Sequence, residues 1–295
     1  MMSSIIDDIK NAFRKKDNSL NQIIFLNVIV FLVVLIAHVI LMLFSHRELY
    51  KQMIPWLMLP ADFQTFLTRP WTLITYFFLH EDPFHILFNL LSLYWFGQII
   101  GDLVGSKRIT SLYVLGGLMG GILFLVSYNT IPYLQERASY SVLLGASAGT
   151  NAIIIAAATL VPDYTMFLLL FGAVRLKYIA LTCIVISLVQ ITAMNIGGGI
   201  AHFGGMLVGY IFIVQLRKGN DIGMPVNAIG QFLGSLFKKD SHLKVSYKNI
   251  GKTKAKSSGK PSQEEIDTIL DKISQSGYES LSKEEKQKLF HASQN

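Results

Sequence analysis

From Ile23 to Phe44 the chain is nearly all isoleucine, leucine, valine and phenylalanine. A helix rises about 1.5 Å per residue and a bilayer's hydrocarbon core is about 30 Å thick, so this run is long enough to cross. Five more apolar blocks follow, at Pro83 to Val104, Ile109 to Tyr128, Gly145 to Val161, Tyr178 to Met194 and Gly197 to Leu216. With 52% hydrophobic and only 15% charged residues, the chain carries too little charge for an ordinary soluble domain of its length. The blocks therefore read as transmembrane helices rather than as one large soluble core. Cys183 is the single cysteine and lies inside a block, which excludes a disulfide framework and a cysteine-based metal site. The first block is about twice as long as a typical signal-peptide core and has no small-residue cleavage site after it, so no cleavable signal peptide is expected.

The expected fold is all-α: a six-transmembrane helix bundle with a small cytoplasmic helical module at the C-terminus. The divisions are a polar N-terminal tail (1–22), the membrane domain (23–217), a basic linker (218–261) and the C-terminal module (262–295). His46 to Asp82 is rich in Trp, Tyr and Pro and reads as an interfacial segment. Met166 to Val174 is apolar but ends at Arg175 and Lys177, which also suits the interface. Gly117 and Gly121 form a small-xxx-small pair suited to close helix packing. In the C-terminal module, Ser262 with Glu265 and Ser282 with Glu285 have capping-box spacing. Ile266, Ile269, Leu270 and Ile273 share one helical face there, and Gly277 suits a helix stop.

Basic residues set the orientation. The N-terminal tail, Lys107-Arg108, Arg175 with Lys177, and Arg217-Lys218 alternate with loops poorer in charge. Six spans with both termini cytoplasmic satisfy the positive-inside rule at each place. The net charge of +7 comes largely from the tails and is assigned to cytoplasmic loops and lipid headgroups, not to nucleic acid.

This topology makes the second, fourth and sixth blocks run from outside to inside. Ser147 precedes Val161 by 14 residues, and His202 precedes Leu216 by the same 14. Both then lie roughly 21 Å above the cytoplasmic edge, about 9 Å below the outer one. Asn89, six residues into the second block, falls at the same level, with His85 one turn above it on the same face. Four polar residues on three helices thus share one layer. Singly, each has a structural reading: a serine that satisfies its own backbone, a histidine on a proton path, an asparagine joining helices. Together at one depth they read as a site. His202 can take the proton that makes the Ser147 hydroxyl a nucleophile. The Ser147 backbone N–H, the Asn89 amide and a His85 ring nitrogen are candidate donors to an oxyanion. Asn151, one turn below Ser147, is placed to orient His202 through a ring nitrogen. His80 reads as structural or interfacial. Gly145-x-Ser147-x-Gly149 matches a nucleophile elbow only in letters, because no strand precedes it. His80-Glu81…His85 has the wrong spacing for a zinc protease. No metal or other cofactor is expected.

The chain resembles the rhomboid family of intramembrane serine proteases. The resemblance covers roughly Trp71 to Leu216 and rests on His80-x4-His85-x3-Asn89, on Gly145-Ala146-Ser147, and on Ala201-His202-Phe203-Gly204-Gly205 followed by Gly209. It implies a Ser147–His202 dyad with no third carboxylate, and an oxyanion held by His85, Asn89 and the Ser147 backbone. It implies cleavage of single-span membrane proteins near the outer face. A multi-pass protein of a bacterial inner membrane is the expected setting. The sequence departs from the family in having Ala148 where glycine is usual after the nucleophile. Asn151 stands where many members have a tyrosine stacked on the histidine, and Arg69-Pro70-Trp71 replaces an adjacent Trp-Arg pair. The rival reading is an inactive rhomboid-like protein that binds membrane clients, against which the retained Ser147 and His202 argue. A transporter would carry intramembrane charges along a pathway, and the spans have few beyond Asp102.

Overall fold

The computed structural model describes residues 18–168, 171–193, 195–236 and 262–293. The chain divides into two compact units, Met1–Lys238 and Lys239–Asn295. In the first unit the apolar blocks become helices α1 (Ser19–Leu43), α2 (Pro83–Val104), α3 (Lys107–Thr130), α4 (Ser147–Leu160), α5 (Leu176–Ala193) and α6 (Ile196–Arg217). Among the described residues, α1, α2, α3 and α6 are long and apolar enough to cross a membrane, while α4 and α5 are shorter apolar helices.

Local chemistry sets the helix ends. Asp82 accepts hydrogen bonds from the Phe84 and His85 amides at 2.8 and 3.0 Å, and Pro83 follows where no helical N–H is needed. Asn195 caps α6 by accepting from the Gly198 amide at 2.8 Å. Helix α4 ends just ahead of Pro162, which cannot continue it.

Helix α4 is the centre of the bundle. Every residue from Ala148 to Ala158 is buried, and most are alanine, glycine or isoleucine. The alanines and the glycine among them let neighbouring backbones come close. A Cβ at Gly205 of α6 would collide with the Ala148 carbonyl, and one at Gly209 with the Ala152 carbonyl. Across α4, a Cβ at Gly116 of α3 would lie 2.5 Å from the Ala152 Cβ, and one at Gly120 would lie 2.6 Å from the Ala148 Cβ. The helix-facing pair on α3 is therefore Gly116 and Gly120. The expected pair, Gly117 and Gly121, makes room for the side chains of Phe77 and Leu73. Helix α1 lies outside this core, with 11% of its most apolar stretch buried against 56% for α3 and α6. Buried Asn27 ties it in, donating to the Tyr113 hydroxyl, which in turn donates to the Phe77 carbonyl at 2.7 Å.

The segment from His46 to Asp82 has more order than an interfacial loop requires. It contains helices at Arg47–Met53 and Phe63–Thr68 and a short strand β1 (Leu59–Pro60). Trp56 and Trp71 stack with centroids 6.1 Å apart, and the Trp71 indole donates to the Trp56 carbonyl. Arg69 lies over Trp56 and donates to the Pro55 carbonyl. Strand β1 pairs antiparallel with β2 (Val142–Leu143), Leu59 opposite Leu143. This pairing anchors the chain two residues ahead of Gly145. Met166 to Val174, expected only to be interfacial, forms a hairpin of β3 (Thr165–Leu168) and β4 (Gly172–Arg175), with Phe167 and Phe171 exposed.

After α6 the expected linker carries helix α7 (Met224–Leu236). Asp221 just before it pairs with Arg108 at 3.0 Å, and Ser111 donates to the Gly223 carbonyl. The basic clusters at Arg14 to Lys16 and in the remaining linker lie outside the described residues. The second unit is a pair of helices, α8 (Gln263–Ser276) and α9 (Lys283–Ser293). Ser262 and Glu265 form a reciprocal capping box, and Gly277 ends α8 at φ +77. Ser282 and Glu285 bond each other's backbone in the same way. Ile269 is buried, but Leu270 is half exposed.

Candidate active site

Gly145 turns the chain into α4 with φ +121, a region open to glycine and strained for other residues. Its amide donates to the Tyr76 carbonyl at 3.0 Å. Two residues later, Ser147 is the first residue of α4. The amides of a helix's first turn have no carbonyl one turn earlier to bond, so the N–H groups here are available to an acceptor. The positive end of the helix dipole favours a negative charge at the same place.

His202 projects from α6 toward this helix start. Its Nε2 lies 2.7 Å from Ser147 Oγ, a full hydrogen bond between a hydroxyl and a base. His202 is 9% exposed, while Ser147 is only partly covered, so the pair is sheltered but open on the serine side. The approach of Gly205 to Ala148, one helical turn below, is what brings α6 near enough.

His85 and Asn89 come from the first turns of α2. A Cβ built on Gly145 would lie 3.0 Å from His85 Nε2 and 3.7 Å from Ser147 Oγ, so the His85 ring edge faces the turn that precedes the serine. Asn89 is buried, and its Nδ2 donates to the His85 carbonyl at 2.9 Å. That leaves the second amide hydrogen for another acceptor. His80 packs edge-on against His85 with ring centroids 5.1 Å apart. Burial, with His85 beside it, lowers the His80 pKa to about 4, so this ring is neutral at physiological pH. Glu81, Asp82 and His85 also have side-chain atoms within 4.8 Å of one another, but Glu81 and Asp82 are exposed and Asp82 already caps α2.

Among the described residues, Asn151 forms no hydrogen bond to a ring nitrogen of His202. It lies on α4 one turn below Ser147 as expected, but its Nδ2 donates back to the Ser147 carbonyl at 2.9 Å. The second nitrogen of His202, Nδ1, lies 3.1 Å from the hydroxyl of Ser187 on α5. Ser187 is 1% exposed and is not among the site residues that the sequence motifs single out. A count along its own helix points to it. Ser187 is 11 residues into α5, whose basic end is at Arg175 and Lys177, so it lies about 16 Å above that end. That is within one turn of the level assigned to His202.

A helical membrane protein with a serine–histidine pair at the start of a buried central helix is the class these features define. The sequence profile of the Rhomboid domain matches residues 67–219, more than half of the chain and all of α2 to α6. The chain belongs to the rhomboid family. A second profile, of a family of unknown function, matches residues 256–295. Among curated proteins, the chain is 31% identical over 157 residues to RHOMBOID-like protein 12, mitochondrial, of Arabidopsis thaliana, covering 50% of this chain and 47% of that one. It is 30% identical over 161 residues to RHOMBOID-like protein 1 of the same plant, covering 50% and 36%. It is also 33% identical over 76 residues to Inactive RHOMBOID-like protein 8, covering 26% and 22%. The chain thus spans about half or less of these relatives' length.

Proposed function

We propose that the chain is a serine endopeptidase that cuts transmembrane-segment substrates within the bilayer, using Ser147 and His202. The observation that carries this reading is the 2.7 Å contact between Ser147 Oγ and His202 Nε2 at the N-terminus of α4. In the first half-reaction His202 takes the Ser147 proton as Oγ attacks the scissile carbonyl. The developing oxyanion would be met by the Ser147 N–H and by side-chain donors from Asn89 and His85. His202 then protonates the leaving amine. Water, activated by the same histidine, releases the acyl group from Ser147. No carboxylate takes part.

The reading includes six crossings, with α4 and α5 counted as spans. Helix α4 is about 21 Å long at 1.5 Å per residue, shorter than the hydrocarbon core, so its serine end is recessed. Recessed backbone of that kind is stable only where it lines a wet cavity or is covered by protein. The loop helices before Asp82 and the β1–β2 pair support such a cover. We read both termini as cytoplasmic, from the basic loops, and the substrates as single-span proteins cut near the outer face. The proposed divisions are the tail, the membrane domain with α7 added to it, the linker and the C-terminal module. A bacterial inner membrane gains no support from the relatives, which are plant proteins, some of them named mitochondrial or chloroplastic.

The second reading, an inactive client-binding protein, is favoured by the relative named inactive. A fluorophosphonate separates the two. It reacts with a serine only where a base and an oxyanion pocket serve it. Full-length protein in bilayers should take the label on Ser147, and both Ser147→Ala and His202→Ala should abolish it while remaining folded. A folded wild type that takes no label and cuts no single-span substrate would leave the client-binding reading in place.

A further inference from the structure

Ser187 is not one of the motif residues from which the proposed site was built, yet it closes a chain of hydrogen bonds behind His202. Its hydroxyl is 2.8 Å from the carbonyl of Cys183, one turn back on α5, and 3.1 Å from His202 Nδ1. A hydroxyl has one proton to donate. A carbonyl has none, so a 2.8 Å contact between the two oxygens exists only if Ser187 donates to Cys183. The Ser187 oxygen then faces His202 as an acceptor. An acceptor at Nδ1 requires the imidazole proton to be on Nδ1. The opposite nitrogen, Nε2, is left with a lone pair, and that is the atom 2.7 Å from Ser147 Oγ.

We propose that Ser187 is a positioning residue that holds His202 in the Nδ1–H tautomer, so that Nε2 is free to take the Ser147 proton. The proton order runs from Ser147 Oγ–H to His202 Nε2, and from His202 Nδ1–H to Ser187 Oγ, whose own proton goes to the Cys183 carbonyl. When His202 becomes imidazolium, both ring nitrogens are donors, and the Ser187 oxygen already accepts from one of them. The inference rests on the protease reading of Ser147 and His202. In this chain it assigns to a serine on α5 the orienting task for which Asn151 is unavailable.

The contact depends on how closely α5 approaches α6. A Cβ at Gly199, one turn above His202, would lie 2.7 Å from the Ser187 carbonyl and 2.6 Å from Ile191 Cγ1. Glycine at 199 therefore lets the Ser187 turn of α5 reach the histidine. The opposite face of α5 carries exposed Leu181, Val185, Ile186, Leu188 and Val189, as a lipid-facing surface does. Ser187 is thus a polar group on the one face of α5 that meets protein.

The test uses full-length protein in micelles. The first readout is the rate of fluorophosphonate labelling at Ser147. The second is the 15N spectrum of the histidine rings, with His202 assigned by its loss in His202→Ala. Ser187→Ala should slow labelling by about tenfold, the worth of one net hydrogen bond, and the ring proton of His202 should move from Nδ1 toward Nε2. Ser187→Thr keeps a hydroxyl that can bond back to the carbonyl one turn earlier, and should restore both the rate and the Nδ1 proton. Gly199→Ala should reproduce the Ser187→Ala spectrum with Ser187 intact. Unchanged labelling in Ser187→Ala, with the proton still on Nδ1, would overturn the inference. A wild type that takes no label would instead remove the protease reading. The ring spectrum would still decide the tautomer: a proton on Nε2 in the wild type sinks the inference, and one on Nδ1 that is lost in Ser187→Ala upholds it.

Discussion

Arg217, the last residue of α6, donates from Nη2 to the carbonyl of Leu160, the last residue of α4, at 3.1 Å, and to that of Thr159 at 2.8 Å. The final carbonyls of a helix lack partners within it, and an arginine is suited to fill them against the negative end of the dipole. The two helices are therefore closed at a common level. Ser147 stands 13 residues from Leu160 and His202 15 from Arg217, within one helical turn of each other, which is why counting residues from the ends put them side by side. Arg217→Met should remove the cap and cost about 1 kcal/mol. The measurement is the thermal unfolding midpoint in micelles, which should fall while labelling at Ser147 persists. An unchanged midpoint would mean that the two ends are held by packing alone.

Gly205 should tolerate nothing larger. Its Cα faces the Ala148 carbonyl, a backbone atom that cannot rotate away. Gly205→Val would push α6 from α4 and draw His202 away from Ser147. Overpacking of a tight core costs about 1–3 kcal/mol, and at a backbone contact the helices must separate. The expected outcome is loss of labelling with a lowered midpoint, whereas Leu207→Val, on the exposed face of α6, should change neither. Full labelling in Gly205→Val would show that the helix spacing does not control the dyad.

Much of this arrangement was legible in the sequence. The apolar blocks are long, the bilayer imposes a length, and polar residues inside such blocks are conspicuous, so Ser147, His202, His85 and Asn89 could be counted to one layer. The fourth block, expected from Gly145 to Val161 ahead of Pro162, is helical from Ser147 to Leu160, so its start lies two residues later than expected. What failed were choices among neighbours of similar chemistry. Asn151 was geometrically plausible as a partner for His202, but an asparagine inside a helix has its own carbonyl one turn back within reach, and that nearer acceptor won. Ser187 was overlooked because a serine among Thr182, Cys183 and Thr192 carries no pattern, and its meaning comes only from the face of α5 turned to α6. Gly116 and Gly117 both have small-xxx-small partners, and only the tertiary packing shows which of them meets a helix. The β3–β4 hairpin was hidden because its strands are only four residues long and mostly apolar, without a polar alternation.

Asn89 is expected to act in the transition state rather than in folding. Its Nδ2 keeps one bond to the His85 carbonyl, and the remaining hydrogen is the candidate oxyanion donor. Removing one donor of this kind typically lowers the rate by about 10²–10³. Asn89→Ala should therefore reduce turnover of a membrane substrate strongly while the substrate KM and the unfolding midpoint change little. A fall in the midpoint that accounts for the whole loss would make Asn89 an interhelical tie instead.

His80 should make the membrane unit sensitive to mild acid. The folded pKa is about 4, lowered first by burial and then by His85, against an ordinary value of 6.5. The folded state thus binds fewer protons than the unfolded state between those two values, and stability rises with pH across that window. The stabilising effect of a neutral His80 is fully present above about pH 6.5 and is lost as pH falls toward 4. Glutamine at this position is polar, similar in size and never charged. The unfolding midpoint of the wild type should fall between pH 6.5 and pH 4 more steeply than that of His80→Gln. Labelling of Ser147 at pH 7.5, where His80 is neutral in either state, should be alike in the two proteins if His80 only packs against His85. Equal slopes of midpoint against pH would show that the His80 ring is not held neutral by its surroundings.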